Sequence, residues 1–199
     1  MDKIILFQDG LVLFLGRYFI EIPLAIVLFI LAIAVVCDVK SHRIPNWLVF
    51  SGALVGFVYH ALSSYGMGAM ASVQGLAVGL AAFMPLYLIR AMGAGDVKLM
   101  AMVGAYLGPA SAFGAVLTVF IAGGVLAMAA AVRNNALPRL HENLRFIMAD
   151  MSMKMMVGGA AAQVDAVPVS AGKLPYALAI ATGTIMHIYL MRSGHALLS

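Results

Sequence analysis

Long apolar runs, separated by short polar stretches, dominate the chain and predict membrane-spanning helices. A helix needs about 20 apolar residues to cross the hydrocarbon layer, and the pattern predicts six segments on this basis. They lie at residues 20–37, 47–62, 69–89, 97–107, 110–132 and 174–191. The predicted fold is therefore all-α, a polytopic membrane helical bundle that forms a single domain over residues 1–199.

The fourth predicted segment is short. A helix over residues 97–107 is about 17 Å long at ~1.5 Å per residue, so we expect it in a thinned or protein-lined part of the membrane. Gly108 and Pro109 follow it and should end it. The apolar stretch 11–19, which contains Arg17, either lies along the membrane interface or lengthens the first helix.

The composition excludes an ordinary soluble domain. Hydrophobic residues make up 64% of the chain, charged residues 10%, and the mean hydropathy is +1.03, whereas soluble domains carry about 25% charged residues. The only cysteine is Cys37, which rules out an internal disulfide and a Cys-x-x-Cys zinc site. The first residues lack the pattern of a cleaved signal, so we expect the chain to keep its start.

Basic residues occupy alternate loops and orient the predicted helices. Three loops contain or are flanked by Lys40, Arg43, Arg90, Lys98, Arg133, Arg139, Arg145, Lys154 and Lys173. The other two loops, SSYGMG and GPAS, carry no charge. The positive-inside rule then places the basic loops in the cytoplasm and both termini on the opposite side of the membrane. The membrane expected for the protein is the cytoplasmic (inner) membrane. The basic pI of about 9.4 therefore predicts contact with membrane lipid and no nucleic-acid partner.

Residues 133–172 form the one long polar region and are predicted to be a cytoplasmic loop. Apolar residues recur within it at helical spacing: Leu140, Leu144, Ile147, Met148, Met151 and Met155. This pattern is typical of an amphipathic helix in the membrane interface. Such a helix either covers the cytoplasmic ends of the bundle or forms a dedicated partner site.

Two acidic residues adjoin predicted membrane segments on the cytoplasmic side. Asp38 follows the first segment and Asp96 precedes the fourth. Two carboxylates in one poorly solvated site do not both ionise easily and can share a proton. Such a pair suits the hydrolysis of a peptide bond by water and needs no metal or cofactor. Two alternatives remain: Asp96 caps the helix that begins at Val97, or the pair binds an ion or substrate in a transporter.

Three stretches resemble the type IV prepilin peptidases, membrane aspartyl proteases of the G-x-G-D class. They are GAGDVKLMAMVGAYLG (93–108), DVKSHRIPNWL (38–48) and KLPYALAIATG (173–183). The resemblance implies that Asp38 and Asp96 are the catalytic aspartates. It also implies that Gly93 and Gly95 shape the backbone before Asp96.

The same motifs contain three further candidate site residues. Pro45 suits the first turn of the second helix, and Asn46 is expected to cap that helix or to bond locally. Lys98 either faces the lipid headgroups or helps directly at the site. His42 lies four residues after Asp38, but no third ligand accompanies them, so no metal is expected.

Larger members of the family carry a zinc-binding insert with paired Cys-x-x-Cys motifs, associated with N-methylation. The single cysteine excludes that insert, and the chain resembles the short, peptidase-only branch found with tight-adherence (Flp) pili, of which the archaeal-type preflagellin peptidases are a close variant. The resemblance implies removal of the leader from prepilins or pseudopilins at the cytoplasmic face, without methylation. The alternative is a small ion-coupled transporter or membrane assembly factor, with Asp38 and Asp96 as ion or proton ligands. The oligomeric state stays open.

Overall fold

Five helices and one short hairpin make up the part of the chain that the computed structural model describes: residues 12–15, 18–62, 68–88, 92–133 and 176–193. The helices are α1 (Ile22–Ser41), α2 (Asn46–Leu62), α3 (Gly68–Leu88), α4 (Ala94–Arg133) and α5 (Tyr176–Arg192). The helical prediction is confirmed for these segments. Three helices, α1, α3 and α4, are long and apolar enough to cross a membrane, and α2 is a shorter apolar helix.

The hairpin directly precedes α1. Strand β1 (Val12–Leu15) pairs antiparallel with β2 (Tyr18–Glu21), with Val12 opposite Glu21 and Leu15 opposite Tyr18. The backbone is therefore extended at residues 12–15 and 18–21. The expectation that this stretch lengthens the first helix is wrong. The amphipathic helix expected within 133–172 falls outside the described residues, apart from Arg133.

Two compact units divide the chain. The first comprises Met1–Ala122 and Pro175–Ser199, and the second comprises Gly123–Leu174. The structure describes residues 123–133 of the second unit, which are the last turns of α4. Several of their apolar side chains are exposed, namely those of Val125, Met128 and Val132. All the helix contacts described below lie within the first unit.

Gly108 divides α4 into two segments, residues 94–107 and 109–133. Its backbone is non-helical, with φ 74° and ψ 173°, in a region that glycine adopts far more easily than other residues. Pro109 follows and has no N–H to continue the helical ladder. The prediction that these two residues end the fourth segment is confirmed.

The first segment of α4 packs antiparallel to α3 through glycines. A Cβ on Gly79 would overlap the carbonyl oxygen of Met100, and a Cβ on Gly75 would overlap that of Gly104 and lie 2.8 Å from the Gly108 backbone. Earlier residues of α3 therefore meet later residues of α4. The two backbones touch because the small residues leave no side chain between them, as is common in membrane helix pairs.

The second segment of α4 returns along α3. Phe83 of α3 stacks on Phe120 of α4, with ring centroids 5.2 Å apart and the rings nearly parallel. A straight helix would carry Phe120 about 18 Å beyond Gly108, in the direction away from Phe83. The chain therefore reverses at Gly108, which brings the start of α4 and its second segment to the same end of α3.

The first segment of α4 is the most enclosed part of the described chain. Its larger buried side chains are Val97, Leu99, Met100, Met102, Val103 and Tyr106. Neighbouring helices also approach it closely, since a Cβ on Gly52 of α2 would lie 2.6 Å from the Met102 sulfur. A segment this short is thus lined by protein, which agrees with the expectation from its length.

Replacing Gly75 with alanine should destabilise the protein, because the new Cβ collides with the backbone of α4. Overpacking of this kind costs about 1–3 kcal/mol, measured as a lower melting temperature in detergent. Gly124→Ala is the matched control, since its Cβ meets nothing within 4 Å and alanine is the better helix former. Equal melting temperatures for the two variants would contradict the close contact between α3 and α4.

Candidate active site

Asp38 lies in the last turn of α1, three residues before the helix ends. The helix continues to Ser41, whose hydroxyl donates to the Cys37 carbonyl at 2.8 Å. The Asp38 carbonyl accepts the His42 N–H at 2.8 Å. Asp38 is only 7% exposed, so its carboxylate needs partners within the protein.

The partner of Asp38 is the beginning of α5. The carboxylate oxygen Oδ2 accepts a hydrogen bond from the Ala177 N–H at 3.1 Å, and the contact is buried. The first N–H groups of a helix have no partner within it and carry partial positive charge. An acid near the end of α1 is opposed by that helix's own dipole, and α5 offsets this cost.

Asp96 is the third residue of α4, not the cap of a helix that begins at Val97. The helix begins at Ala94, and the Gly93 carbonyl accepts the Asp96 N–H at 3.2 Å. In return, the Gly93 N–H donates to Asp96 Oδ2 at 3.2 Å. The bond from the Gly93 N–H to the Asp96 side chain is the half of a capping box that an acid at the third helical position supplies. The other bond is a backbone turn, because glycine has no side chain to accept it. Asp96 thus caps the N-terminus of α4 through the Gly93 N–H, although it lies inside the helix and not directly before it.

The two carboxylates face one site. Asp96 is 9% exposed, and the Asp38 carboxylate interacts with it electrostatically. Each Oδ2 atom accepts a backbone N–H from a helix start; within the described residues, no hydrogen bond joins the two carboxyl groups. The fold therefore brings together two acids that lie far apart in the sequence, between the first turns of α4 and α5.

Tyr176 is a member of this site to which the sequence reasoning assigned no role. It is the first residue of α5 and is half-buried. Its phenol interacts electrostatically with Asp96, while the next residue, Ala177, binds Asp38. The sequence signal for this residue is the Pro-Tyr pair at the start of the last apolar segment, within the motif KLPYALAIATG.

Gly93 and Gly95, the two glycines of the motif, leave room for neighbouring groups because they have no side chain. Among the described residues, glycines with positive φ occur at positions 68 and 108, so neither Gly93 nor Gly95 is needed for a left-handed backbone. A Cβ on Gly95 would lie 3.3 Å from the Ile44 Cβ. Gly95 thus lets the connection between α1 and α2 pack against the start of α4, close to Asp96.

Lys98 and Asn46 bind each other and join α4 to α2. The Lys98 ammonium donates to Asn46 Oδ1 at 3.1 Å and lies 5.5 Å from the centre of the Phe50 ring. The Asn46 side chain thus has a partner on another helix, whereas the sequence predicted that it caps α2 or bonds locally. Pro45 immediately precedes α2, and its carbonyl accepts the Leu48 N–H at 3.2 Å.

The described helices are apolar and enclose two acids between helix ends. Such a pair of acids is suited to acid–base hydrolysis, which indicates a membrane hydrolase. The model of the type IV leader peptidase family matches residues 25–128, just over half of the chain, including Asp38 and Asp96. The chain belongs to the type IV leader peptidase family and is a protease. Comparison with curated proteins and with solved structures found no match.

The bond between Asp38 and α5 predicts a difference between two variants that both remove the charge. Asp38→Ala leaves the Ala177 N–H without its acceptor, whereas Asp38→Asn keeps an oxygen there. Loss of a cap costs about 0.5–2 kcal/mol. Hydrogen exchange at the first turn of α5 should therefore be faster in Asp38→Ala than in Asp38→Asn. Equal exchange rates would mean that the carboxylate does not hold this helix end.

Proximity of the two acids predicts a crosslink. Asp38→Cys and Asp96→Cys, combined in a Cys37→Ser background, should be joined by short bifunctional thiol reagents. Lys98→Cys in place of Asp96→Cys is a control, because Lys98 points to Asn46 on α2 and should crosslink to position 38 less efficiently. If reactive thiols at 38 and 96 never join, the shared site is wrong.

Proposed function

We propose that this protein is a membrane-embedded aspartyl endopeptidase that removes the leader peptide of type IV prepilins or pseudopilins. Asp38 and Asp96 are its catalytic residues. The observation that supports this most is the burial of two carboxylates beside each other, each held by a backbone N–H at a helix start. Membership of the leader peptidase family supports a protein substrate and favours peptidase activity over ion transport.

The chemistry follows from the like charges of the pair. Two carboxylates that interact in a poorly solvated site resist double ionisation, and the mechanism uses one carboxylate and one protonated carboxyl. The ionised carboxylate takes a proton from water as the water oxygen attacks the scissile carbonyl carbon. The protonated carboxyl donates to the carbonyl oxygen. When the intermediate collapses, the carboxyl that took the water proton gives it to the leaving nitrogen as the C–N bond breaks. The other carboxylate takes its proton back from the oxygen as C=O re-forms.

The helix starts keep this pair ready for the reaction. Each carboxylate has one oxygen committed to a backbone N–H, of Ala177 or Gly93. The second oxygen of each remains for water, the shared proton and substrate. Backbone donors at helix ends are fixed in direction, so the acids need little reorganisation when substrate arrives.

The substrate contributes a leader junction and an apolar helix. We place the reaction at the cytoplasmic face of the inner membrane, because Lys40 and Arg43 lie beside Asp38 in a loop that the positive-inside rule assigns to the cytoplasm. The substrate helix then lies in the bilayer beside the bundle, with its junction at the acids. With Cys37 as the only cysteine, we assign the chain to the Flp-type branch, which cleaves without methylating.

Asp38→Asn and Asp96→Asn should each reduce cleavage by about 10²–10⁴-fold, because each removes one of the two proton-transferring groups. The measurement is coexpression with a panel of prepilins, followed by mass determination of the substrate's N-terminus. Asp165→Asn is the control, since Asp165 lies outside the residues that the family model matches. Membrane insertion and helix content should be unchanged in all three.

Two outcomes would count against different parts of the proposal. A variant that cleaves at a near wild-type rate shows that its aspartate is not catalytic. Prepilins that stay unprocessed by the wild type, across Flp-type and other pilins, argue against leader removal itself.

A further inference from the structure

We propose that Tyr176 is a third catalytic residue, whose phenol hydroxyl donates a hydrogen bond to the scissile carbonyl oxygen and stabilises the oxyanion that forms there. This inference rests on the proposed leader peptidase activity. It adds a donor from α5, a helix that lies outside the region matched by the family model.

The position of Tyr176 is set by its neighbour in the chain. The N–H of Ala177 donates to Asp38 Oδ2 at 3.1 Å in a buried contact, so the backbone of Tyr176 lies one residue from the first aspartate. The Tyr176 phenol in turn lies close enough to Asp96 to interact with its charge. The first turn of α5 therefore bonds to Asp38 through its backbone and carries a phenol that interacts electrostatically with Asp96.

The other donors at the site are already engaged. The N–H groups of Ala177 and Gly93 are bonded to the carboxylates, and the Lys98 ammonium is bonded to Asn46. Within the described residues, no hydrogen bond joins the Tyr176 hydroxyl to Asp96. The phenol is thus a neutral donor beside the acid pair, and its proton is free for a substrate oxygen.

A tyrosine hydroxyl suits this task chemically. With an ordinary pKa near 10, a phenol keeps its proton at neutral pH and donates without adding a charge to an apolar site. Its ring packs against apolar surroundings while the hydroxyl reaches a polar partner. The half-buried position of Tyr176 at the start of α5 allows both.

The step balances without a further reactant. The water oxygen bonds to the carbonyl carbon, the C=O π electrons move to oxygen, and the ionised aspartate takes the water proton. The oxyanion receives the proton of the other aspartate and a hydrogen bond from the phenol, which keeps its own proton. Collapse re-forms C=O as that oxygen returns its proton to the second aspartate. The first aspartate passes the proton taken from water to the nitrogen as the C–N bond breaks.

Tyr176→Phe tests the proposal, because it removes the hydroxyl and keeps the ring. Loss of one oxyanion donor typically lowers kcat by about 10²–10³-fold, and we expect this loss with KM changed less than about 2-fold. Tyr189→Phe is the matched control: it makes the same substitution on the same helix, at a residue that is 61% exposed. It should leave kcat unchanged, and both variants should melt at the wild-type temperature.

The outcomes separate this proposal from its rivals. Wild-type kcat in Tyr176→Phe, or a rise in KM alone, overturns it. A pH–rate profile that shifts while the plateau kcat is retained also overturns it, because the phenol would then act through Asp96 and not on substrate. If the wild type and Tyr189→Phe also leave every prepilin uncleaved, the peptidase proposal fails and this inference fails with it.

Discussion

The hydrogen bond from the start of α5 to the Asp38 carboxylate is the interaction on which the site depends. Burying two like charges in an apolar bundle is costly, and within the described residues no cation is bonded to either acid. Backbone N–H groups at two helix starts take the place of a cation. The N–H of Ala177 donates to Asp38, and the N–H of Gly93 donates to Asp96. Because backbone N–H groups supply partial charge without a mobile counter-ion, the acids stay close while each keeps an oxygen for chemistry.

The position of Asp96 depends on packing elsewhere in α4. Backbone contacts with α3 at Gly75 enclose the first segment of α4, and the reversal at Gly108 returns the chain along the same helix. The segment's buried side chains hold its N-terminal turn at the ends of α1 and α2. The bond between Lys98 and Asn46 adds a polar link there. Glycines distant from the acids therefore determine where one acid lies.

The site extends beyond the region that carries the family signature. The match at residues 25–128 includes both acids, yet α5 begins at Tyr176 and supplies the backbone donor to Asp38. A helix from the far end of the chain thus completes a site whose acids come from α1 and α4. This arrangement ties the geometry of the acid pair to the docking of the last helix.

The sequence by itself determined the helices, because a chain in hydrocarbon must satisfy its backbone polar groups within each segment. It also predicted the break at Gly108. Asp38 and Asp96 were singled out by their positions beside apolar runs together with the motifs that resemble the leader peptidases. Only the tertiary structure decided what each acid contacts. Asp38 and Ala177 are 139 residues apart, and the Asn46 side chain finds Lys98 instead of its own helix. Local pattern encodes a helix, but which helix start meets which carboxylate depends on how the helices pack.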